Sequence, residues 1–229
     1  MRRSLRMLVC ALLLSPTALA AQTKLKDNVD QAVTILEQFR DIPEKAIPEA
    51  VMRDAKGLAI LTVLKAGLVF SGQGGLGLVV ARTKSGWVHV VYGRVAGWSG
   101  PSAIATGGAG FGFQVGAEVT EYVMVLNTDD AVKTFARGGN VTLGGDLSVA
   151  AGPVGRTASV AVTPVAAVYS YSRSKGLFAG VSVTGTVIVT RNGANEEYYG
   201  RKVTPAEILS GRVKPPPGAD KLRMELAKF

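Results

Sequence analysis

Two periods divide the chain. Between Lys24 and Arg40, Leu25, Val29, Ala32, Val33, Leu36 and Phe39 recur at helical spacing and form one apolar stripe, with Lys24, Lys26, Asp27, Asp30 and Glu37 mostly off it. The spacing predicts an amphipathic helix over 24–40, stopped at Asp41-Ile42-Pro43. Pro48 opens a second short helix to Asp54. From Gly57 onward the period falls to two. Val181, Val183, Val187 and Val189 alternate with Ser182, Thr184, Thr186 and Ile188, the signature of a sheet with one buried face. Candidate strands run over Leu58–Val63, Leu68–Ser71, Leu76–Thr83, Val88–Val95, Phe111–Leu126, Val141–Ala150, Ala158–Ser172 and Leu177–Arg191. One helix interrupts them. Thr128 caps it, Asp129 and Asp130 fill its first turn, and Gly138-Gly139 ends it. Near the end, Thr204-Pro205-Ala206-Glu207 reads as a capping box for a helix to Leu209, closed by Gly211. Pro215-Pro216-Pro217 is a stiff spacer, and Leu222, Leu226 and Phe229 fall on one face of a terminal helix.

Glycine changes this picture. Of 28 glycines, 24 lie between Gly57 and Gly185, inside or beside the candidate strands. Glycine within a strand marks a bulge, sharp coiling or close backbone approach. The fold class expected is therefore α+β. A glycine-rich, strongly coiled antiparallel sheet or barrel-like core is joined by an N-terminal amphipathic helix, one inserted helix and short C-terminal helices. The expected division is a signal peptide over 1–20, one domain over 21–213, and a spacer with a short helix over 214–229.

The signal peptide is read from three parts. Arg2, Arg3 and Arg6 give a positive start, Met7–Leu14 a short apolar run, and Ala18-Leu19-Ala20 a small-residue cleavage site. On that reading the protein is secreted across an inner membrane, periplasmic and peripherally membrane-associated. The sole cysteine, Cys10, lies in the apolar run, so the remainder has no thiol chemistry. The formal charge is +9, and no Asp or Glu occurs between Ala55 and Ala117, where Lys56, Lys65, Arg82, Lys84 and Arg94 are found. That balance suits an anionic surface such as a membrane, and outside the cytoplasm it does not suggest nucleic acid.

Motifs for chemistry are missing. Gly72-Gln73-Gly74-Gly75-Leu76-Gly77 fits G-x-G-x-x-G, but the β-branched run Leu78-Val79-Val80 follows where a phosphate-binding helix must begin. The segment reads as β geometry. His89 is the one histidine, which leaves no basis for a zinc site. No G-x-S-x-G nucleophile elbow is present. The expectation is a non-enzymatic protein with no cofactor and no metal.

Several ordered blocks resemble the SYLF domain. Its opening is matched by Ile47-Pro48, Ala55-Lys56-Gly57-Leu58-Ala59-Ile60, Lys65-Ala66-Gly67 and Ser71-Gly72. Its middle is matched by Trp98-Ser99-Gly100-Pro101-Ser102-Ala103-Ile104, Gly110-Phe111-Gly112 and Gln114-Val115-Gly116-Ala117-Glu118. Later blocks are Leu126-Asn127, Ala151-Gly152-Pro153-Val154-Gly155-Arg156, Tyr169-Ser170-Tyr171-Ser172, Lys175-Gly176-Leu177-Phe178-Ala179-Gly180 and Tyr198-Tyr199-Gly200. The segment Gly86–Ala96, with Trp87, Tyr92 and Arg94, looks like an addition to the family pattern.

The resemblance implies a lipid-binding domain. Eukaryotic members bind phosphoinositide membranes, and relatives of the yeast endocytic protein also bind actin filaments. In such members an N-terminal amphipathic helix and basic residues contribute to membrane binding. A signal peptide with no SH3 domain resembles the bacterial, secreted type. The function expected is binding of anionic phospholipid at a membrane surface. Lys24, Lys26 and Arg40 would flank the helical stripe, and Lys56, Lys65, Arg173 and Lys175 would supply headgroup contacts. The stripe serves equally for packing on the domain's own sheet. Two rival functions are a structural or protein-binding envelope module of the filament-binding kind, and an outer-membrane β-barrel. Against the barrel, Lys221, Arg223 and Glu225 fall in phase with the terminal Phe229, where a membrane strand needs apolar residues.

Overall fold

The computed structural model describes residues 24–41, 46–83, 90–91, 94–95, 97–143, 145–152 and 166–229. Helix α1 (Leu25–Asp41) and the short α2 (Glu49–Asp54) precede the long strand β1 (Gly57–Ala81). Two-residue strands β2 (Val90–Val91) and β3 (Arg94–Val95) pair with each other. Then come β4 (Ser102–Leu126), α3 (Asp129–Ala136), β5 (Asn140–Thr142), β6 (Val149–Ala151) and β7 (Val168–Thr190). Helices α4 (Asn192–Tyr199), α5 (Pro205–Leu209) and α6 (Asp220–Leu226) close the chain.

Three strands build the sheet. β4 is central and pairs antiparallel with β1 and β7 along nearly its whole length, while β5 and β6 pair with opposite ends of β7. A straight strand the length of β1 would span roughly 80 Å. Yet the Arg82 amide donates to the Lys56 carbonyl at 2.8 Å, so the two ends of β1 meet. The strand doubles back on itself, and β4 and β7 follow it residue by residue. The result is a curled antiparallel half-barrel. Gly75 and Gly77 permit the return, because a Cβ at either would collide with the backbone of Thr62–Val63 or Ile60–Leu61. The fold-over lies at Gly67, whose register partner Gly116 has a φ of 134°, beside an irregularity between Leu68 and Phe70.

The base of this half-barrel is buried on both faces. On one, Leu58, Ile60, Leu78, Val80, Val123, Val125, Tyr169 and Tyr171 pack with α1 and with Leu222 and Leu226 of α6. On the other, Ala59, Leu61, Val79, Ile104, Met124, Leu126 and Ile188 pack with Ala131 and Phe135 of α3 and Leu209 of α5. Neighbouring residues of each strand alternate between the two clusters, as period-two geometry requires. The helical stripe docks on the protein's own sheet: Leu25, Val29, Ala32, Ile35, Leu36 and Phe39 are buried, and Val33 is partly so.

The α+β expectation holds, with corrections in detail. Leu58–Val63, Leu68–Ser71 and most of Leu76–Thr83 are one bent strand ending at Ala81, because Gly67 and Gly75 between them serve close approach rather than turns. Val141–Ala150 divides into β5 and β6. Helix α4 is unforeseen. It has no apolar stripe, and its buried Asn195 holds it by accepting from the Ala103 amide at 2.7 Å and donating to the Ser102 hydroxyl at 3.2 Å. Phe229 follows a helix, not a strand. No helix among the described residues is long and apolar enough to cross a membrane. The signal-peptide segment 1–20, His89, Trp87 and Tyr92 lie outside the described residues.

Candidate functional site

Three of the resemblance blocks, those holding Ala55, Trp98–Pro101 and Tyr199, meet in one structural junction at the base. Arg82 donates from Nε to the Ala55 carbonyl at 3.1 Å and from Nη2 to that of Met52 at 2.9 Å, closing α2 onto β1. Its guanidinium carbon lies 4.6 Å from the centre of the buried Trp98 ring, a cation–π contact. Burial pulls the Arg82 pKa below its ordinary value, and the Asp54 carboxylate opposes that shift. The Ser99 hydroxyl accepts from the Ala81 amide at 3.0 Å and donates to the Gly100 carbonyl at 2.8 Å. Tyr199 donates to the Pro101 carbonyl at 3.0 Å, and a side chain at Gly100 would strike its hydroxyl. Burial pushes the Tyr199 phenol well above its usual range. These residues hold the fold and offer a ligand no opening.

The seven basic positions do not converge on one partner. Lys24 pairs with Glu197 across to α4 at 3.3 Å, both side chains well exposed. Lys26 is exposed. Arg40 pairs with the buried Glu225 of α6, which also holds Lys228 at 2.5 Å, so the cation clasps α1 to α6. Arg173 donates from Nε to Glu121 at 2.9 Å and reaches Gln38 of α1, with only 15% of its side chain exposed. Lys56 is exposed at the base, and its amide and carbonyl bond to Leu126 and Arg82. Lys65 is half-buried opposite Glu118, and Lys175 is exposed opposite Val119.

The feature that the sequence reading missed is apolar. Leu64, Leu68, Phe70, Val115 and Val119 are exposed by 45, 70, 71, 56 and 38%. All lie where β1 and β4 fold over, far along the strands from the buried base. Leu64, Ala66 and Leu68 stand opposite Val119, Ala117 and Val115, and all six residues are exposed. By period two they continue the sheet face that α1 covers at Leu58 and Ile60. Helix α1 crosses the sheet near Thr62 and Arg173, so the face beyond that level stands clear of it. The signal was present as the run Leu64–Phe70, but nothing in sequence says where a covering helix stops.

The described residues hold no group of three or more His, Cys, Asp and Glu able to ligate a metal. A crevice between α1 and β1, lined by Asn28, Gln31, Ile60, Thr62 and Leu76, has a volume of about 160 Å³ including its open mouth. That is below the range of small-molecule sites.

Comparison with known proteins gives the arrangement a family. A family model described as Ysc84, Las17-binding protein actin regulator, matches residues 107–229, more than half of the chain. The chain belongs to the Ysc84 family. The match begins in β4 and takes in β7 and every C-terminal helix. LAS seventeen-binding protein 3 of Saccharomyces cerevisiae is 49% identical over 207 residues, covering 86% of this chain and 43% of that protein. Protein YSC84 of the same yeast is 48% identical over 207 residues, covering 86% and 42%. The human SH3 domain-containing YSC84-like protein 1 is 43% identical over 214 residues, covering 90% and 60%. The chain thus spans between two fifths and three fifths of the length of these curated relatives.

The SYLF resemblance therefore stands as a Ysc84-family assignment. Its secreted, bacterial form is corrected. The relatives come from yeasts and mammals, and the family is described by regulation of actin, a filament of the eukaryotic cell interior. The periplasmic location and the signal-peptide reading of 1–20 fall with that finding. The reason for the error is physical: three arginines, eight apolar residues and a small-residue tripeptide carry little information beside a family match through the folded domain.

Proposed function

We propose that this Ysc84-family chain is a non-enzymatic binding module of actin regulation, whose main ligand is a protein of the actin-regulating machinery. One observation carries the reading. Nearly the whole described domain aligns at 49% identity with a yeast protein named for binding Las17. The base junction supports it, because Arg82, Trp98, Ser99 and Tyr199 fix a rigid scaffold and present no reactive group. Purified chain passed over immobilised Las17, and sedimented with actin filaments, tests the proposal. Saturable retention by Las17 or saturable co-pelleting is expected, and absence of both at micromolar protein would overturn it.

A second ligand, an anionic lipid surface, is favoured by the exposed apolar fold-over and by the acid-free stretch from Ala55 to Ala117. Lys24, Lys26, Lys56 and Lys175 carry exposed side chains suited to headgroups, and Lys65 lies beside the fold-over. Arg40 and Arg173 belong to the proposed set through the pairs that clasp α1. Flotation with anionic against zwitterionic vesicles tests this reading, with binding expected only to the anionic set and declining with salt.

A further inference from the structure

We infer that the folded-over tip of the half-barrel, and not helix α1, is the element that enters an anionic lipid surface. This inference rests on the lipid reading above and names the surface that serves it. An amphipathic helix is the first candidate for membrane contact, but α1 is occupied. Leu25, Val29, Ala32, Ile35, Leu36 and Phe39 are each no more than 3% exposed against the sheet and α6. Laying that stripe on a bilayer would strip the core of the domain.

The tip needs no rearrangement. Leu64, Leu68, Val115 and Val119 project from two paired strands, and five of the six large apolar residues that stand exposed among those described are at this fold-over. From Leu64 to the fold-over at Gly67 the strand rises about 10 Å, enough to carry its side chains through the headgroup layer to the acyl boundary. Charge selects the occupant. Lys175 borders the apolar rows through its register partner Val119. The acid-free stretch runs through β1 and into β4 as far as Ala117, and the first carboxylate beyond it, Glu118, lies opposite Lys65. An apolar wedge rimmed by lysines fits an anionic bilayer, where the aliphatic stems pack along the wedge and the ammonium groups reach phosphate.

The test compares the intact chain with Leu68→Gln/Val115→Thr, Lys175→Gln, and dye-labelled single-cysteine forms. Vesicles of phosphatidylcholine with one third phosphatidylserine serve as the probe. The double substitution is expected to weaken binding about tenfold or more with no change in melting temperature. Lys175→Gln should weaken it about fivefold at low salt and little at high salt. With Cys10→Ser as background, an environment-sensitive dye at Leu68→Cys should shift to the blue on vesicle addition, while one at Lys26→Cys should not. A shift at Lys26→Cys alone would overturn the inference in favour of α1. Undiminished flotation of the double variant would overturn the tip and leave the lipid reading intact. An intact chain that never floats would overturn both. A variant that changes only from dimer to monomer would make this face a contact between copies of the chain, and would overturn the inference as well.

Discussion

At the scale of single residues, charge serves two ends in this molecule, and Arg173 shows the division. It sits in a basic turn-like sequence that suits a headgroup, yet its guanidinium is mostly buried between Glu121 of β4 and Gln38 of α1. A pair removed this far from water is costly to break from one side, because the partner keeps its desolvation penalty without its counter-charge. Glu121→Ala should therefore destabilise the protein by about 3 kcal/mol. Replacing both partners with apolar residues, Glu121→Leu with Arg173→Met, should recover most of that loss. Urea unfolding of the three variants checks both statements, and a single variant as stable as the parent would show that the pair is solvated. Charge and periodicity made Arg173 visible in sequence, but its partners come from helix and strand positions 135 and 52 residues away. Lys175, two residues on, keeps its ammonium group outward. Alternation along β7 puts the two on the same face, so only the reach of α1 over the sheet, which covers Arg173 and stops short of Lys175, separates their environments.

At the scale of elements, legibility followed locality. Helix α3 was readable because Thr128 accepts from the Ala131 amide at 3.1 Å, a signal contained in four residues. Helix α5 was readable through the reciprocal bonds of Thr204 and Glu207, which also hold the exposed Glu207 carboxyl below its usual pKa. Helix α4 was not, since Asn195 finds its partners on a strand more than 90 residues earlier. The long strands were half legible. Their alternation and the coiling marked by glycine are visible in sequence, but which glycines provide clearance is not. The G-x-G-x-x-G stretch holds both kinds. At Gly72 an added Cβ meets nothing within 4 Å, whereas at Gly77 it meets the backbone of Ile60 and Leu61. Gly72→Ala should be neutral or stabilise by a few tenths of a kcal/mol, through a less flexible unfolded chain. Gly77→Ala should cost about 3 kcal/mol, since the backbone opposite cannot turn aside as a side chain would. Thermal melts of the two variants decide the matter. Equal effects would mean that β1 does not return upon itself at Gly77.

At the scale of the whole molecule, the division of the chain depends on what the last sixteen residues do. Composition suggests a domain ending at 213, followed by a proline spacer and a short helix. The contacts argue otherwise. Leu222 and Leu226 are buried in the same cluster as the α1 stripe, and the buried Glu225 holds Arg40. The half-barrel buries its base with α1 on one face, and α6 secures that helix from outside. Ending the chain at Val213 would remove two core leucines, each comparable to a Leu→Ala truncation of about 3 kcal/mol. It would also leave Arg40 without its buried carboxylate. The sum is on the order of the whole stability of a domain, which is about 5–15 kcal/mol. The shortened chain should therefore lose cooperative unfolding or melt more than about 10 °C lower, as followed by circular dichroism at 222 nm. A detached spacer would leave the melt unchanged. The same truncation bears on membrane contact. Freeing the α1 stripe would give the protein a second apolar face, so tighter but lipid-unselective flotation of the shortened chain is expected. In the intact protein that face is closed, which leaves the exposed fold-over as the surface expected to carry lipid contact.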